Sequence, residues 1–376
     1  MSITDKYAIR EMNEKLVLRT VIQEGSISRA DLAKVLNLNK TSVSSIVADL
    51  IDKNLVLETG AGESSGGRKP ILVMFNQEAG YSLAFDVGPN YISSLLTYLD
   101  GSFVADSYDS IDDPSIENIY HILEASISNY LKQIKTTPYG ITGICIGLHG
   151  IVYQQQLVFS PFHDLDCQEL IDKIQAQFEL PVIIENEANL AALGEQNLEP
   201  QVENLVSLSV KYGIGAGVIS DGTLYTGCDG HAGEVGHLIT NINGRPCACG
   251  NRGCLEQYAS EYNILKRYKA DDKIEKGKFM RFKQDYLKGD PVAGDVMDQF
   301  IQYMMVAVNN LIVTFNPEVI IINSRITNQI EGIVRGIQDQ LVYKGRGDII
   351  IKPSTLDRKA TLVGGVHLNK VTFLGI

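Results

Sequence analysis

The most informative segment of this chain contains His231-Ala-Gly-Glu-Val-Gly-His237 and, ten residues later, Cys247-Ala-Cys-Gly-Asn-Arg-Gly-Cys254-Leu-Glu256. Three thiols at CxCx4C spacing, in a loop whose glycines can take positive φ, join one upstream imidazole as four soft ligands for a tetrahedral ion. Such a zinc site would carry a net charge of about −1 and have no open position, so we expect it to be structural. The alternative is a chance cluster of half of the chain's six cysteines. Close cysteine spacing in a reducing compartment favours the metal.

Length and composition indicate a multidomain protein. The chain has 376 residues, of which 44% are apolar, and this length suggests two or three domains. The segment from Met1 to Lys15 is rich in charge, and apolar runs stay far below the length of a membrane span, so we expect a cytoplasmic protein without a membrane partner. The remaining cysteines are interpreted as reduced thiols without a role: Cys145, Cys167 and Cys228.

The net charge of −12 is distributed unevenly. Residues 1–75 hold ten Lys and Arg against nine Asp and Glu, which leaves a charge of −13 on the remaining residues. An acidic chain is an unpromising nucleic-acid binder when it is judged by its total charge. A near-neutral small domain can nevertheless bind DNA if its few cations lie on one face.

The first 75 residues show the pattern of a small helical domain. Glu14 to Gln23 predicts a helix, because its apolar residues recur four apart. Ser28 is an N-cap candidate three residues before Asp31, at the start of a short second helix. A tight turn at residues 37–39 precedes a third helix from about Lys40 to Lys53. The stripe that this helix should bury is formed by Val43, Ile46, Val47, Leu50 and Ile51.

A polar face on the third helix and a hairpin after it predict that this domain is a winged helix-turn-helix. Short donors and a cation cluster at the N-terminal end of the third helix, where a recognition helix meets base edges and phosphates. Strands at 55–57 and 70–75 flank a Gly/Ser-rich tip over 60–67. Three short helices and a hairpin also suit a structural or protein-binding module, but the polar face and the basic base of the wing favour DNA binding. The predicted DNA contacts are Lys40, Thr41, Ser42, Ser44, Ser45, Arg68 and Lys69.

From Tyr81 onward, apolar strands alternate with helices, which predicts an α/β fold with two lobes. Loops at the strand ends of such lobes usually hold a ligand in the cleft between them. The segment Glu185-Asn-Glu-Ala-Asn189 follows one of these strands. The predicted strands are 82–86, 92–99, 141–147, 180–184 and 317–322, with further strands within 205–219 and helices at 116–134 and 292–315.

Residues 80–376 resemble the ROK family, the repressor, open reading frame and kinase group. The cysteine loop, the Ala-Gly-Glu-x-Gly-His sequence and Glu-Asn-x-Ala-Asn all match that family's motifs. The resemblance implies an actin-like, ribonuclease-H-like duplicated two-lobe domain behind the winged helix. We therefore expect the winged helix-turn-helix over 1–76, one lobe over 80–189 and a second over 190–376. This division leaves open whether the C-terminal end returns to the first lobe.

The resemblance also implies site residues. It makes His237, Cys247, Cys249 and Cys254 the ligands of a structural Zn²⁺, and it makes Asn186, Glu187, Glu234, His237 and Glu256 the contacts of a sugar. Carboxylates and an amide suit a ring of hydroxyls, and zinc on one nitrogen of a histidine fixes the tautomer so that the other N–H can face a hydroxyl. The alternatives are solvated loop carboxylates for Glu234 and Glu256, and a helix cap for Asn186.

Departures from the kinase pattern argue against catalysis. The first phosphate loop reads Asp86-Val-Gly-Pro89-Asn90, where proline has no N–H to offer. The second phosphate loop has the bulky Tyr212 where the kinase pattern has a small hydroxyl residue. The Gly-Gly pair that the kinase pattern has on the adenine side is replaced here by Asn323-Ser324. Glu187 stands where kinases have aspartate; its extra methylene displaces a general base by roughly 1 Å. We therefore predict no catalytic residues and no enzyme activity, with the sugar site retained as a sensor.

The sequence thus predicts a sugar-responsive transcriptional repressor of carbohydrate genes, similar to the xylose-type repressors of the ROK family. Its expected partners are operator double-stranded DNA, a monosaccharide effector and a second copy in a homodimer. Two alternatives remain open: an active ATP-dependent ROK sugar kinase, and a regulator that responds to zinc. Two histidines keep no assigned role: His149 and His163.

Overall fold

The N-terminal domain consists of three helices and a three-stranded antiparallel sheet. The computed structural model describes residues 3–61, 70–162, 164–268, 277–342 and 349–376. The sheet has the order β1-β3-β2, and the hairpin β2–β3 forms the base of the predicted wing. The elements are α1 (Ile3–Glu24), β1 (Ser26–Ser28), α2 (Arg29–Val35), α3 (Lys40–Asp52), β2 (Val56–Ala61) and β3 (Ile71–Phe75).

Local capping explains where the short helices of this domain begin. The Ser28 side chain accepts from the Asp31 N–H at 3.1 Å, and Asn39 accepts from the Thr41 N–H at 2.8 Å, so each helix has one of its orphan donors satisfied. The predicted stripe of α3 is buried except for the half-buried Ile51. The start predicted for α1 was wrong: the helix begins at Ile3, where no apolar stripe announces it.

The first lobe contains a five-stranded sheet with the order β10-β7-β4-β5-β6. Strands β4, β5 and β6 are antiparallel neighbours, whereas β4, β7 and β10 run parallel, so the carboxyl ends of these three strands meet at one edge. The elements are β4 (Tyr81–Gly88), β5 (Tyr91–Tyr98), β6 (Phe103–Ser110), α4 (Ile116–Gln133), β7 (Ile141–Leu148), β8 (Ile151–Tyr153), β9 (Gln156–Phe159), α5 (Cys167–Phe178) and β10 (Val182–Asn186).

The second lobe repeats this sheet topology. Its order is β13-β12-β11-β14-β15, again with two antiparallel pairings followed by two parallel ones, which is the arrangement expected of a duplicated α/β unit. The elements are α6 (Glu187–Leu198), β11 (Leu205–Val210), β12 (Ile214–Ser220), β13 (Thr223–Leu224), α7 (Glu256–Ala259), α8 (Glu261–Arg267), α9 (Lys278–Leu287), α10 (Pro291–Phe315), β14 (Val319–Asn323), α11 (Arg325–Gln329), α12 (Ile333–Asp339) and β15 (Ile350–Pro353).

The last helix, α13 (Ala360–Leu374), returns to the first lobe. Its Leu362 and Val366 pack with Ala84 and Cys145 of the first sheet, and its Asn369 amide donates to the Leu83 carbonyl at 2.8 Å. By this packing the helix joins the first lobe, the arrangement that the predicted division at 190–376 had left open.

Helices α6 and α13 cross in direct backbone contact. A Cβ on Gly364 would lie 1.7 Å from the Leu190 carbonyl oxygen, and one on Gly194 would lie 2.5 Å from the Ala360 carbonyl oxygen. Both positions therefore require glycine for a steric reason. Because α6 starts at Glu187, the crossing joins the strand-end segment 185–189 to the last helix.

The end of α13 reaches the N-terminal domain. Leu374 lies in the same hydrophobic cluster as Val17 and Leu50, with Phe373 and Ile376 packed against it. The Tyr139 ring meets the Phe373 ring edge-on at 4.9 Å, and the Tyr139 hydroxyl donates to the Lys53 carbonyl at 2.7 Å. The N-terminal domain and the first lobe thus share a hydrophobic core at this junction. Among the described helices, none is long and apolar enough to cross a membrane.

Candidate functional site

Four soft side chains converge beside the second lobe. The ligand atoms of His237, Cys247, Cys249 and Cys254 all lie within 4.8 Å of one another, and the group could hold a metal ion. The Cys247 Sγ is 3.5 Å from the His237 Nδ1, and the Cys249 Sγ is 3.7 Å from the Cys254 Sγ. The other upstream imidazole, His231, is exposed and bonded to Asp229, so the imidazole of the cluster is that of His237.

Two glycines shape the cysteine loop. Gly250 and Gly253 have φ values of 91° and 84°, in the left-handed region that favours glycine, which confirms the expectation drawn from the CxCx4C segment. A Cβ on Gly253 would lie 1.7 Å from the Asn241 carbonyl oxygen. A β-bridge between Ile239 and Cys254 fastens the loop to the segment that follows His237.

Two carboxylates adjoin the cluster. The Glu256 Oε1 accepts from the Cys247 thiol at 3.1 Å and lies 3.9 Å from the His237 Nδ1. The Glu234 Oε2 lies 3.7 Å from the His237 Nε2, which is the ring nitrogen that faces away from Cys247. Burial, with the nearby charge of Glu187 adding to it, raises the pKa of Glu234 to about 7. The predicted sugar contacts of this lobe therefore stand next to the predicted metal ligands.

Asn186 is engaged as a helix cap. Its Oδ1 accepts from the N–H groups of Ala188 and Asn189 at 2.8 and 2.9 Å, and its Nδ2 donates to the Gly150 carbonyl at 2.7 Å. The cap interpretation is thus correct for the oxygen, and one amide N–H remains for a ligand.

Glu187, the next residue, has an unsatisfied atom. Its Oε2 is buried and has no hydrogen-bond partner among the described residues. Two glycines of the second lobe lie next to these carboxylates. A Cβ on Gly213, just before β12, would lie 3.0 Å from the Glu256 Oε2, and a Cβ on Gly215, within β12, would lie 3.8 Å from the Glu187 Oε1. A buried carboxylate oxygen without a partner calls for a donor, and a ligand hydroxyl can supply one.

Asp86, in the first phosphate-loop segment, is surrounded by donors from the protein itself. Its carboxylate is 1% exposed, accepts from the Tyr91 hydroxyl at 2.9 Å and lies 3.0 Å from the His149 Nε2. The Lys211 Nζ approaches it to 3.7 Å from the second lobe. Although burial alone raises the pKa of Asp86, Lys211, His149 and Tyr91 outweigh that effect and hold it at about 2.

The remaining kinase-like positions are also occupied by protein contacts. A Cβ on Gly88 would lie 2.2 Å from the Tyr91 ring, so this ring covers the glycine. Ser324 caps α11 and donates to the Glu261 carboxylate at 2.9 Å. Sequence reasoning noted Pro89 and Tyr212 but missed Tyr91, His149 and Lys211 as partners of Asp86. A buried aspartate at a strand end was the available signal.

The predicted DNA-binding face is exposed on α3. Lys40, Thr41, Ser42, Ser44 and Ser45 are all accessible at its N-terminal half. Arg10 of α1 forms an ion pair with Asp49 and hydrogen-bonds the Ser45 hydroxyl at 3.2 Å, which adds a cation beside this face. The predicted contacts Arg68 and Lys69, like His163, lie outside the described residues.

Known proteins resemble this chain over nearly its whole length. The ROK family profile matches residues 82–371, and a winged helix-turn-helix DNA-binding profile matches residues 13–56. A xylose repressor of Bacillus spizizenii is 36% identical over 374 residues, which cover 97% of this chain and 96% of the relative.

Solved structures share the fold as well. A ROK family transcriptional regulator, described as a homologue of the E. coli MLC protein, matches with a TM-score of 0.81 at 29% identity, and the match covers 98% of this chain and 97% of that structure. A Streptomyces griseus ROK glucokinase, solved with glucose and AMPPNP, shares the fold with a TM-score of 0.69 at 24% identity, covering 77% and 99%.

Proposed function

The chain belongs to the ROK family, and from this we propose that it is a sugar-responsive transcriptional repressor of carbohydrate-utilisation genes. The observation that carries the proposal is the union, in one chain, of a DNA-binding winged helix and a cleft with an unsatisfied carboxylate oxygen on Glu187. The relative from Bacillus spizizenii is named a xylose repressor, so a pentose is the first effector to test.

The sugar contacts that we propose are Asn186, Glu187, Glu234, His237 and Glu256. These residues lie at the start of α6 and in or beside the cluster of His237 and the three cysteines. Together they offer hydrogen-bond acceptors and donors, and each hydroxyl of a neutral sugar can both donate and accept. Three carboxylates in this group favour an unphosphorylated sugar, because a phosphate group would be repelled by them. A sugar that prefers one arrangement of the lobes shifts the equilibrium toward it.

For the metal we propose zinc in a structural role. Around a tetrahedral zinc with Zn–S about 2.3 Å and Zn–N about 2.0 Å, two sulfurs lie about 3.8 Å apart, and a sulfur and a nitrogen about 3.5 Å apart. The Cys249–Cys254 and Cys247–His237 separations, 3.7 and 3.5 Å, fit these values. With Nδ1 of His237 toward the ion, its Nε2–H is left to face Glu234 and the sugar.

We further propose that the protein does not phosphorylate its sugar. Asp86 already accepts bonds from two protein donors and pairs with Lys211, and the Tyr91 ring covers Gly88 where a phosphate would need the backbone. Pro89 supplies no N–H to such a group. These contacts support a cleft that binds sugar without nucleotide.

On DNA, we propose a homodimer that reads a palindromic operator. The exposed polar face of α3 would enter the major groove, and two copies would occupy half-sites one helical turn, or a multiple of it, apart. The proposed contacts are Lys40, Thr41, Ser42, Ser44 and Ser45 from the described face, together with Arg68 and Lys69.

The test titrates the zinc-loaded protein onto an operator duplex, selected from random-sequence DNA, with and without D-xylose, D-glucose and N-acetylglucosamine. We expect one sugar to weaken operator binding about 5- to 150-fold, the usual range of coupling between two sites. Glu234→Ala should abolish this response while it leaves zinc content and sugar-free operator binding unchanged. Lys40→Ala, the matched control on the other site, should weaken operator binding and leave sugar binding intact.

Three outcomes would contradict the proposal. Operator affinity that stays constant across the sugars up to millimolar concentration excludes the sugar-sensing role. ATP-dependent consumption of the sugar identifies a kinase. Operator binding that follows zinc and ignores every sugar identifies a metal-responsive regulator.

A further inference from the structure

We propose that Lys211 and Tyr212 form a clasp, a pair of side chains from the second lobe that holds the first lobe across the cleft and thereby sets how readily the sugar site assembles. The inference rests on the proposed sugar-sensing function for its effect on induction. Its mechanical content, the joining of the two lobes, stands on the contacts of these two residues alone.

The clasp projects from a fixed turn. Lys211 and Tyr212 follow β11 and precede β12, at the tip of a hairpin of the second sheet. The Lys211 N–H donates to the Gly213 carbonyl at 3.0 Å, and the Tyr262 N–H donates to the Lys211 carbonyl at 3.3 Å. Because these two hydrogen bonds fix the backbone of the turn within the second lobe, Lys211 and Tyr212 move with that lobe.

Lys211 provides an ionic contact between the lobes. Its Nζ lies 3.7 Å from Asp86 Oδ2, at the end of β4 in the first sheet. The lysine side chain is 19% exposed and the aspartate 1%, so the pair is poorly screened by water. Removing the cation would leave the buried Asp86 carboxyl without its ion pair, with Tyr91 and His149 as its side-chain donors among the described residues, which disfavours the joined arrangement.

Tyr212 provides an aromatic contact beside the ionic one. Its ring stacks on Tyr262 of the second lobe at 5.8 Å and meets Phe162 of the first lobe edge-on at 6.3 Å. The side chain of Asn90, in the turn between β4 and β5, interacts with its hydroxyl and lowers the pKa of Tyr212, against the larger effect of burial, which raises it. One side chain therefore touches two separate segments of the first lobe while it is anchored on the second.

The clasp is connected to the sugar site through His149 and through its own hairpin. His149 places Nε2 at 3.0 Å from Asp86 and Nδ1 at 3.8 Å from the Glu187 Oε1. Gly213 and Gly215, just beyond the clasp, lie beside Glu256 and Glu187. The sugar carboxylates and the clasp contacts thus require the same approach of the hairpin to the first lobe.

In this geometry, the clasp and a bound sugar stabilise the same arrangement of the lobes, the one in which the hairpin approaches the first lobe. When only a fraction of the molecules is in the arrangement that binds, the apparent dissociation constant rises by the inverse of that fraction. A nucleotide bound between lobes would stabilise such an arrangement; here two side chains of the chain itself do so. Weakening the clasp should therefore weaken sugar binding without touching any sugar contact.

The experiment compares the full-length, zinc-loaded protein with Lys211→Met and Tyr212→Thr, and with the conservative variants Lys211→Arg and Tyr212→Phe. Hydrogen exchange and the radius of gyration from X-ray scattering are measured without sugar, followed by D-xylose titration by calorimetry. Lys288→Met and Tyr225→Thr are matched controls, since both residues are exposed on the second lobe away from the clasp. Melting temperature and zinc content identify any variant that fails to fold.

In the sugar-free protein, Lys211→Met and Tyr212→Thr should speed amide exchange around residues 86–90 and 211–217 about tenfold and increase the radius of gyration. Their sugar affinity should fall about tenfold, with operator binding in the absence of sugar unchanged or tighter. Lys211→Arg and Tyr212→Phe should recover most of the wild-type behaviour, a rescue that general destabilisation would not show.

Unchanged exchange and scattering in both disruptive variants would overturn the clasp, whether or not any sugar binds. Tighter sugar binding in these variants would also overturn it, because the clasp would then oppose the sugar-bound arrangement. By contrast, a wild-type protein that ignores every sugar, while the variants still loosen the lobes, refutes the proposed function and leaves the clasp standing.

Discussion

At the scale of single residues, one motif combines a folding role with a proposed sugar contact. Asn186 matches a family sugar position, yet its oxygen caps α6 and its amide nitrogen holds the Gly150 carbonyl. The cap fixes the start of α6, where Glu187 carries its buried, unpartnered oxygen. Loss of sugar response on substitution of Asn186 would therefore combine a folding effect with a binding effect.

We expect Asn186→Ala to lower the free energy of unfolding by about 2 kcal/mol, because it removes two cap bonds and leaves the Gly150 carbonyl without its donor. Asn186→Ser keeps a capping acceptor and loses the donor, so its effect should be smaller, about 1 kcal/mol. Urea titration of the zinc-loaded protein measures both. Asn129→Ala, which alters an exposed surface bond on α4, should change stability by less than about 0.5 kcal/mol. Equal losses for the buried and the exposed asparagine would contradict this assignment.

Sequence reasoning found the cysteines of the cluster that could hold a metal ion because their spacing is local. It missed the Asp86 environment because that environment is formed by residues distant in sequence. Cys247, Cys249 and Cys254 lie within one loop, so their types and separations already indicate convergence. Lys211 meets Asp86 only after two lobes have folded and docked. No periodicity or motif in either segment encodes that pairing.

At the scale of elements, predictability followed the burial pattern. The third helix was predicted within one residue, because its stripe is buried on one side and polar on the other. Edge strand β6 was missed, since its Phe103–Ser110 sequence is largely exposed and lacks an apolar alternation. Helix α13 was missed for the opposite reason: it packs against the first sheet, α6 and the N-terminal domain, so apolar residues surround it.

Helix α13 carries a histidine that should make stability depend on pH. Burial, with the charge of Lys370 adding to it, lowers the pKa of His367 to about 4 from its ordinary 6.5, and its Nδ1 is buried without a partner among the described residues. Below pH 6.5 the unfolded chain takes up a proton that the folded chain refuses, so this histidine costs stability progressively as pH falls toward 4. The full effect is at most about 3 kcal/mol.

His367→Gln removes the titrating group and should flatten the loss of stability between pH 6.5 and 4 relative to the parent protein. Urea titrations at pH 7.5, 6.0 and 5.0 give the difference in unfolding free energy between the two proteins, which cancels the contributions of the other titratable groups that both share. His121→Gln is the matched control, because His121 is exposed on α4. Parallel pH profiles for the His367 variant and the parent would refute the assignment.

At the scale of the whole molecule, three bodies meet at the α6–α13 crossing and at the end of α13. The two lobes repeat one sheet topology, and α6 lies between α13 and the strands of the second sheet. The N-terminal domain joins the first lobe through the end of α13 and through the Tyr139–Lys53 hydrogen bond. The family resemblance anticipated the duplicated fold, whereas this junction depends on tertiary packing that the sequence does not display.

Phe373→Ala should separate sugar binding from operator release. The ring packs on Tyr139 and against the core of the N-terminal domain, to which none of the proposed sugar contacts belongs, so sugar affinity should stay within about twofold. The coupling between sugar and operator should fall by about 1 kcal/mol, roughly a fivefold smaller response. Operator titrations with and without the effector sugar measure this, with the exposed Leu287→Ala as control. An undiminished response would exclude this junction as the route.

The direct backbone contact between α6 and α13 limits which residues can change among related chains. Where two glycines bring backbones together, there is no rotamer that could absorb a small displacement, so the helices shift as one rigid piece. Loops around the pocket can exchange side chains, and with them the preferred effector, while that mechanical connection stays the same. Related chains can thus come to differ in the residues that line the cleft while the packing of α6 against α13 stays unchanged.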